Sequence, residues 1–140
     1  MRPAHGLQRG TIFRAVHDET YELWRRDEPR EKFGVVFNVT PPSERDDVLY
    51  FITTKNTSRY TRRPYLLSEC LILPKGSYAC FDHKTAIEFD ELWEVPLVKL
   101  RRKGLMILGQ LSPEHVATCE AKIRLARILL PEYKKLIGLV

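Results

Sequence analysis

Residues 48–54, VLYFITT, give the clearest indication of the fold, because the stretch is rich in aromatic and β-branched side chains. Such side chains suit the pleated, half-buried surface of a sheet, so the stretch predicts a strand. Upstream, residues 34–39, GVVFNV, form a continuous apolar run that predicts a buried strand. Pro41 and Pro42 end that run, since proline cannot donate a backbone hydrogen bond.

The same patterns, followed outward along the chain, predict shorter strands separated by loops and turns. These strands are expected at residues 11–16, 78–81, 85–88 and 106–111. Residues 18–32 predict a long polar loop, and residues 74–77, PKGS, predict a turn. Residues 95–100 fit either an edge strand or an extended loop. A basic connection, residues 55–64, leads to residues 65–73.

One helix is predicted near the end of the chain. Ser112 is a preferred N-cap, Pro113 is favoured at the first helical position, and Glu114 suits the positive end of the helix dipole. Apolar residues follow at spacings of three and four up to Leu130, and Pro131 is expected to end the helix. Together the elements predict a mainly β protein with a C-terminal helix, its short strands forming a small curled sheet or barrel.

The chain has 140 residues and a mass of 16.4 kDa, which suits a single domain over residues 1–140. Its composition, 44% hydrophobic and 29% charged, excludes an intrinsically disordered protein. No uncharged apolar run approaches the roughly 20 residues of a membrane-spanning helix, and the first residues lack the apolar segment of a secretory signal. The expected location is therefore the cytoplasm.

The formal net charge is +5, and a basic small domain suits a polyanionic partner such as RNA, DNA or an acidic protein segment. The 3 cysteines are odd in number and far apart, so neither a disulfide framework nor a cysteine metal site is indicated. The 4 histidines likewise lack the spacing of metal ligands. The sequence therefore predicts no metal and no cofactor.

Residues 59–65, RYTRRPY, interleave three arginines with two tyrosines. Loops of this kind hold single-stranded nucleic acid, with guanidinium groups on phosphates and aromatic rings against bases. The candidate RNA-binding residues are Arg59, Tyr60, Arg62 and Arg63. The alternative is a solvated loop, and the same two interpretations apply to the basic cluster at residues 99–103, KLRRK.

Asp82 and His83 are candidates for proton transfer, because a carboxylate or an imidazole at this place can act as general base or acid. Consecutive residues of a strand point to opposite faces, so both can serve one site only if the chain turns there. The chain lacks a nucleophile elbow, a P-loop, an HExxH motif and a GxGxxG motif. Any chemistry must therefore come from groups that the fold brings together.

Taken in order, these segments resemble the PemK/MazF family of toxins from bacterial toxin–antitoxin systems. The resemblance covers about residues 10–130 and rests on the order and spacing of several stretches. They are GTIF at 10–13, KFGVVFN at 32–38, FITT at 51–54, LPKGSYACFDHKTAIE at 73–88, and GQLSPE at 109–114. In the same order, they are similar to the family's G-[DE]-[IV]-[WY] opening, its R-P-[AV]-V-[VI]-[LV]-[SN] strand, its P-[IC]-T-[ST] strand end, its stretch ending in D-Q-x-[RK]-[TS]-[IV]-D, and its G-x-[LV]-[SA]-x-E helix start.

The resemblance implies an SH3-like small β-barrel, usually a homodimer, that acts as a sequence-specific endoribonuclease. Such an enzyme cleaves single-stranded RNA without a metal, the 2′-hydroxyl of the RNA attacking the adjacent phosphate. The reaction needs a base for the 2′-hydroxyl proton, an acid for the leaving 5′-oxygen, and cations against the charge of the transition state. A cognate antitoxin protein is expected to neutralise the enzyme by laying an acidic segment across the basic groove.

Position by position, the resemblance places the catalytic residues at Lys32, Thr53, Asp82 and His83. Thr53 matches the active-site threonine at the strand end, and Asp82 matches the aspartate that serves as base in some members. Lys32 stands where the family has arginine, so the charge is kept and the bidentate fork is lost. His83 stands in place of a glutamine and would supply the proton donor, because Cys80 occupies the position of an arginine that some members use.

Two other functions fit the same fold. The departures at Lys32 and Cys80 suit a binding module whose catalytic site has decayed and which holds nucleic acid or a protein. A gyrase-poison toxin of this fold would carry a Trp-Gly-Ile tail, whereas this chain ends IGLV at residues 137–140, without the tryptophan.

Overall fold

Seven antiparallel strands and several short helices are found in residues 7–17, 30–40 and 46–140, the residues that this computed structural model describes. The strands are β1 (Thr11–His17), β2 (Arg30–Val39), β3 (Asp47–Thr54), β4 (Cys70–Leu73), β5 (Thr85–Glu88), β6 (Trp93–Pro96) and β7 (Met106–Gln110). The helices are α1 (Ser58–Arg62), a 3₁₀ helix (Pro64–Glu69), α2 (Leu97–Arg102), α3 (Pro113–Leu125) and α4 (Pro131–Leu136). The prediction of a mainly β protein is confirmed. None of the helices in the described residues has both the length and the apolar character needed to cross a bilayer.

β3 is the strand on which the sheet is organised. The strands are ordered β4-β5-β3-β2-β1-β7, and every pairing is antiparallel. One edge of β3 pairs with β2. The other edge is shared, because β6 pairs with Asp47 to Tyr50 while β5 pairs with Thr53 and Thr54. The end of β3 therefore lies beside β5, which directly follows the loop of Asp82 and His83.

Aromatic side chains fill both faces of the sheet. On one face Phe37 packs edge-on against Phe51 with ring centroids 5.4 Å apart, in a cluster to which α3 contributes. On the other face Phe13 packs edge-on against Tyr50 at 4.9 Å, in a cluster to which α2 contributes. A Cβ atom at Gly34 would stand 2.6 Å from the Phe13 ring, so this close approach of strand and ring requires glycine.

β2 begins earlier in the chain than the sequence predicts. It starts at Arg30, so the polar loop expected over residues 18–32 is wrong at its end. The added residues of β2 pair with β1, and this pairing with a distant part of the chain makes them a strand in spite of their polar side chains. The rest of that predicted loop, residues 18–29, lies outside the described residues, as do Pro41 and Pro42.

The segment between β3 and β5 has more helices and turns than the sequence predicts. α1 lies within the basic connection of residues 55–64, and the 3₁₀ helix precedes β4. The strand predicted at residues 78–81 is wrong, because these residues turn and the Phe81 N–H donates to the Tyr78 carbonyl at 2.9 Å. Residues 95–100 contain the end of β6 and most of α2. Apolar runs this short do not separate a strand from a turn or a helix.

The predicted start of α3 is confirmed, and its predicted end is wrong. Ser112 Oγ accepts a hydrogen bond at 3.2 Å from the backbone N–H three residues on. α3 ends at Leu125, however, and Pro131 begins α4. The early end has a long-range cause. The buried carboxylate of Glu69 accepts the backbone N–H groups of residues 127–128 at 3.0 and 2.9 Å, which replaces the hydrogen bonds of a continued helix.

Candidate functional site

The loop between β4 and β5 brings Asp82 and His83 together with Lys55, the residue after β3. Nδ1 of His83 donates to Oδ1 of Asp82 at 2.7 Å, and Nζ of Lys55 lies 3.3 Å from the same oxygen. All three side chains are more than half exposed. Asp82 and His83 lie in a loop and not in a strand, so the requirement that the chain turn there is met.

The contacts of Asp82 distinguish its chemical properties from those of His83. The hydrogen bond from His83, and after it the one from Lys55, lowers the pKa of Asp82. A carboxylate with a lowered pKa is a weaker base, so Asp82 suits the role of orienting the imidazole. Its bond to Nδ1 leaves Nε2 of His83 as the ring nitrogen that can exchange a proton with a substrate.

Thr53 lies at the end of β3, on the face of the sheet that packs against α3. It pairs with Ile87 of the same face, because directly paired residues of antiparallel strands point the same way. Only 8% of Thr53 is exposed. In the described part of the chain, Thr53 is not hydrogen-bonded to Asp82 or to His83.

Lys32 lies on the opposite face of the sheet. Two residues further along β2, Gly34 pairs with Ile52. Because side chains alternate along a strand, Lys32 shares the face of Ile52 and not that of Thr53. Burial raises the pKa of Glu88 on β5, and the positive charge of Lys32 opposes that rise. The structure thus joins two of the four predicted catalytic residues and leaves the other two on separate faces.

α1 divides the predicted RNA-binding residues into two pairs. Tyr60 is buried, with 3% of it exposed, and its hydroxyl donates to the Glu88 carboxylate. Nη1 of Arg59 lies 3.2 Å from the same carboxylate. Arg62 and Arg63 are exposed. The ring of Tyr60 is therefore not presented to a base, and the exposed cations of the group are Arg62 and Arg63.

Three further residues belong to the group of Asp82 and His83 or to the group around α1, and they are missing from the predicted catalytic and RNA-binding residues. Tyr65 is 72% exposed and is the tyrosine of its stretch whose ring can stack on a base. Lys55 brings a cation to Asp82, and Glu88 binds α1. The basic and aromatic composition of residues 55–65 was a signal for the first two. Nothing local indicates Glu88, because its partners lie 28 and 29 residues away in the chain.

Tyr78 anchors the loop between β4 and β5 to the start of α3. Its hydroxyl accepts the backbone N–H of Ser112 at 2.7 Å and lies 2.6 Å from Nδ1 of His115. Its ring packs edge-on against Phe81 at a centroid distance of 5.9 Å. Since Phe81 directly precedes Asp82, these contacts restrict where the carboxylate can lie.

A cavity of about 370 Å³ lies apart from both groups, between residues 90–94 and a segment made of residues 128–130 and Tyr133. None of the predicted catalytic or RNA-binding residues lines it. Across residues 7–17, 30–40 and 46–140, no cluster of three or more histidine, cysteine, aspartate or glutamate side chains is arranged to hold a metal ion. No protein-family model matches the chain, and no curated protein sequence matches it.

Proposed function

We propose that the protein is an endoribonuclease that cleaves single-stranded RNA without a metal ion. The observation that carries the proposal is the exposed group of Lys55, Asp82 and His83, in which a carboxylate orients an imidazole beside a cation. Such a group can move protons and offset negative charge, the two things that this cleavage needs. The resemblance to the PemK/MazF toxins supports the same activity.

In the proposed reaction, Nε2 of His83 accepts the proton of the 2′-hydroxyl while the oxygen attacks phosphorus. The bond between phosphorus and the 5′-oxygen breaks, and the imidazolium gives the proton to that oxygen. The products are a 2′,3′-cyclic phosphate and a 5′-hydroxyl. Asp82 stabilises the imidazolium, and Lys55 offsets the charge of the transition state. The need for a 2′-hydroxyl restricts the reaction to RNA.

The RNA strand is held, in this proposal, by exposed residues of α1, of the 3₁₀ helix and of the junction between them. Arg62 and Arg63 would contact phosphates, and the ring of Tyr65 would stack on a base. The catalytic roles of Lys32 and Thr53 stay predictions, because neither is hydrogen-bonded to the loop of His83 in the described residues.

The proposal extends to the fold and to the partners that the resemblance implies. We propose that the sheet curls as in an SH3-like barrel, supported by the division of one edge of β3 between β5 and β6. A homodimer in the cytoplasm, sequence-specific cleavage and a cognate antitoxin are parts of the same proposal. The exposed side chains of Arg62 and Arg63, at the end of α1, support an antitoxin segment that is acidic.

The test is incubation of a long mixed-sequence RNA with purified protein in excess EDTA. We expect discrete fragments from the wild type and weaker cleavage by Asp82→Ala and by Lys55→Ala, because both residues belong to the group that carries the proposal. Lys84→Ala is the control, since Lys84 is an exposed residue of the same loop. Fragments that persist unchanged in both variants would point to a contaminant or a differently built site, and no fragments from any RNA would refute the nuclease.

A second candidate function is a binding module without catalysis, holding nucleic acid or a protein. It is favoured by the positions of Lys32 and Thr53 on opposite faces of the sheet, which separate two residues that the resemblance brings to one active site. RNA binding that weakens with salt, in the absence of any cleavage, would identify this function.

A further inference from the structure

Glu88 is a carboxylate that the proposed reaction does not use, and it is largely covered by α1. Its side chain is 13% exposed. It accepts a hydrogen bond from the hydroxyl of Tyr60, and Nη1 of Arg59 lies 3.2 Å from the same oxygen. The guanidinium of Arg59 also lies over the Tyr60 ring, 5.2 Å from its centroid. The three side chains therefore form one linked group between α1 and β5.

The hydrogen bond from Arg59 to Glu88 uses the guanidinium N–H group that could otherwise donate to an RNA phosphate. Carboxylates and phosphates both accept charge-assisted hydrogen bonds from a guanidinium, so the two anions compete for it. The Arg59 side chain is 42% exposed, so a ligand can reach it once its ion pair with Glu88 is broken. Arg62 and Arg63 make no ion pair with any of the described residues, so no carboxylate in that part of the chain competes with a phosphate for them.

We propose that Glu88 is a positioning residue that withholds Arg59 from RNA and fixes α1, so that binding relies on Arg62 and Arg63. The proposal rests on the proposed function for its ligand, single-stranded RNA, and it holds for a binding module as well as for a nuclease. The RNA-binding role predicted for Arg59 is latent as long as Glu88 is ionised.

The surroundings of Glu88 make its ion pair with Arg59 dependent on pH. The charged or titratable groups that act on it come from four segments: Arg59 and Tyr60 of α1, Lys32 of β2, Cys70 of β4, and Asp90 after β5. Burial has the largest effect and raises the pKa of Glu88; the hydrogen bond from Tyr60 opposes the rise, and the charge of Asp90 adds to it. Glu88 therefore takes up a proton, and releases Arg59, at a pH where an ordinary glutamate is still ionised.

The first experiment measures the salt dependence of binding to a 2′-O-methyl RNA oligonucleotide, which cannot be cleaved. Glu88→Gln keeps an acceptor for the Tyr60 hydroxyl and removes the charge that holds Arg59. We expect tighter binding and a slope of log Kobs against log salt that is steeper by about 0.7, the effect of one more phosphate contact on a single strand. Glu91→Gln is the matched control, because Glu91 has no hydrogen bond or ion pair in the described residues. It is expected to leave the slope unchanged.

Two further comparisons separate positioning from a merely structural role. Arg59→Ala added to Glu88→Gln is expected to return the slope to the wild-type value. Lowering the pH is expected to steepen the slope of the wild type more than that of Glu88→Gln, because only the wild type has Glu88 to protonate. A Glu88→Gln slope equal to that of the wild type would overturn the proposal. So would an Arg59→Ala single variant whose slope flattens as much as that of Arg62→Ala, since Arg59 would then already contact RNA.

An NMR titration of the Glu88 carboxyl in the absence of RNA keeps the two proposals distinguishable. Arg59→Ala removes a cation that holds this pKa down, so the pKa of Glu88 is expected to rise. An unchanged pKa would overturn the pairing of Glu88 with Arg59. If the titration behaves as expected and no variant binds RNA, the proposed function is overturned and the pairing is not.

Discussion

Replacing His83 by alanine is expected to lower the rate of RNA cleavage by about 10²–10⁴-fold, the usual contribution of a positioned acid–base group. The proposed reaction passes its proton through this imidazole, and no other histidine is hydrogen-bonded to Asp82 in the described residues. Asp82→Asn keeps the shape of the side chain and removes the charge that stabilises the imidazolium, so it is expected to slow cleavage as well. The measurement is single-turnover cleavage of a labelled single-stranded RNA in EDTA.

Lys84→Ala is the matched control for His83→Ala, because it truncates the neighbouring exposed side chain of the same loop. It is expected to retain more than about half of the wild-type rate, because substitutions of exposed residues away from special contacts usually have small effects. Circular dichroism of all variants would verify that they are folded. A rate for His83→Ala equal to that of the wild type would remove His83 from the reaction and leave the proposed proton transfer without a carrier.

Replacing Glu69 by alanine is expected to lower the free energy of unfolding by about 3 kcal/mol. Its carboxylate accepts the backbone N–H of Arg127 at 3.0 Å and of Ile128 at 2.9 Å, and the hydroxyl of Ser68 at 3.0 Å. Hydrogen bonds to a charged group contribute about 1.5–3 kcal/mol each, and alanine would leave two backbone donors without their acceptor. Urea unfolding measures the loss, with Glu91→Ala as the control for removing an exposed carboxylate.

The same variant is expected to change the response to acid. Burial raises the pKa of Glu69, but the hydrogen bonds from Ile128 and Arg127 outweigh it, so the pKa is lowered on balance. A carboxyl with a lowered pKa stabilises the fold above its unfolded value of about 4.3, and this contribution is lost as the pH falls through the folded pKa. The difference in the free energy of unfolding between wild type and Glu69→Ala should therefore shrink as the pH falls through the folded pKa. Curves that stay parallel below pH 4 would contradict this role.

The candidate site could be predicted from the sequence only where its residues are neighbours in the chain. Asp82 and His83 are adjacent and lie in a loop, so their contact follows from local geometry. Lys55 joins them because β3 ends beside β5, which is a property of the sheet. Tyr60 illustrates the opposite case. Its position among arginines predicted an exposed ring, and packing against the sheet buried it instead.

The elements that could be predicted without the structure are those whose signals lie within a few residues: the strand at β3, the neighbouring strand β2 apart from its start, and the Ser112 cap of α3. Strand patterning and capping act over one strand or one helical turn, so a local pattern is sufficient to indicate them. The end of α3 and the ion pair of Arg59 could not be predicted in this way, because both depend on contacts that form only in the folded protein. Those outcomes depend on Glu69 and Glu88, whose partners lie far away in the chain. A buried carboxylate takes the donors that folding places beside it, and that placement is set by how strands and helices pack together and not by the residues next to it in sequence.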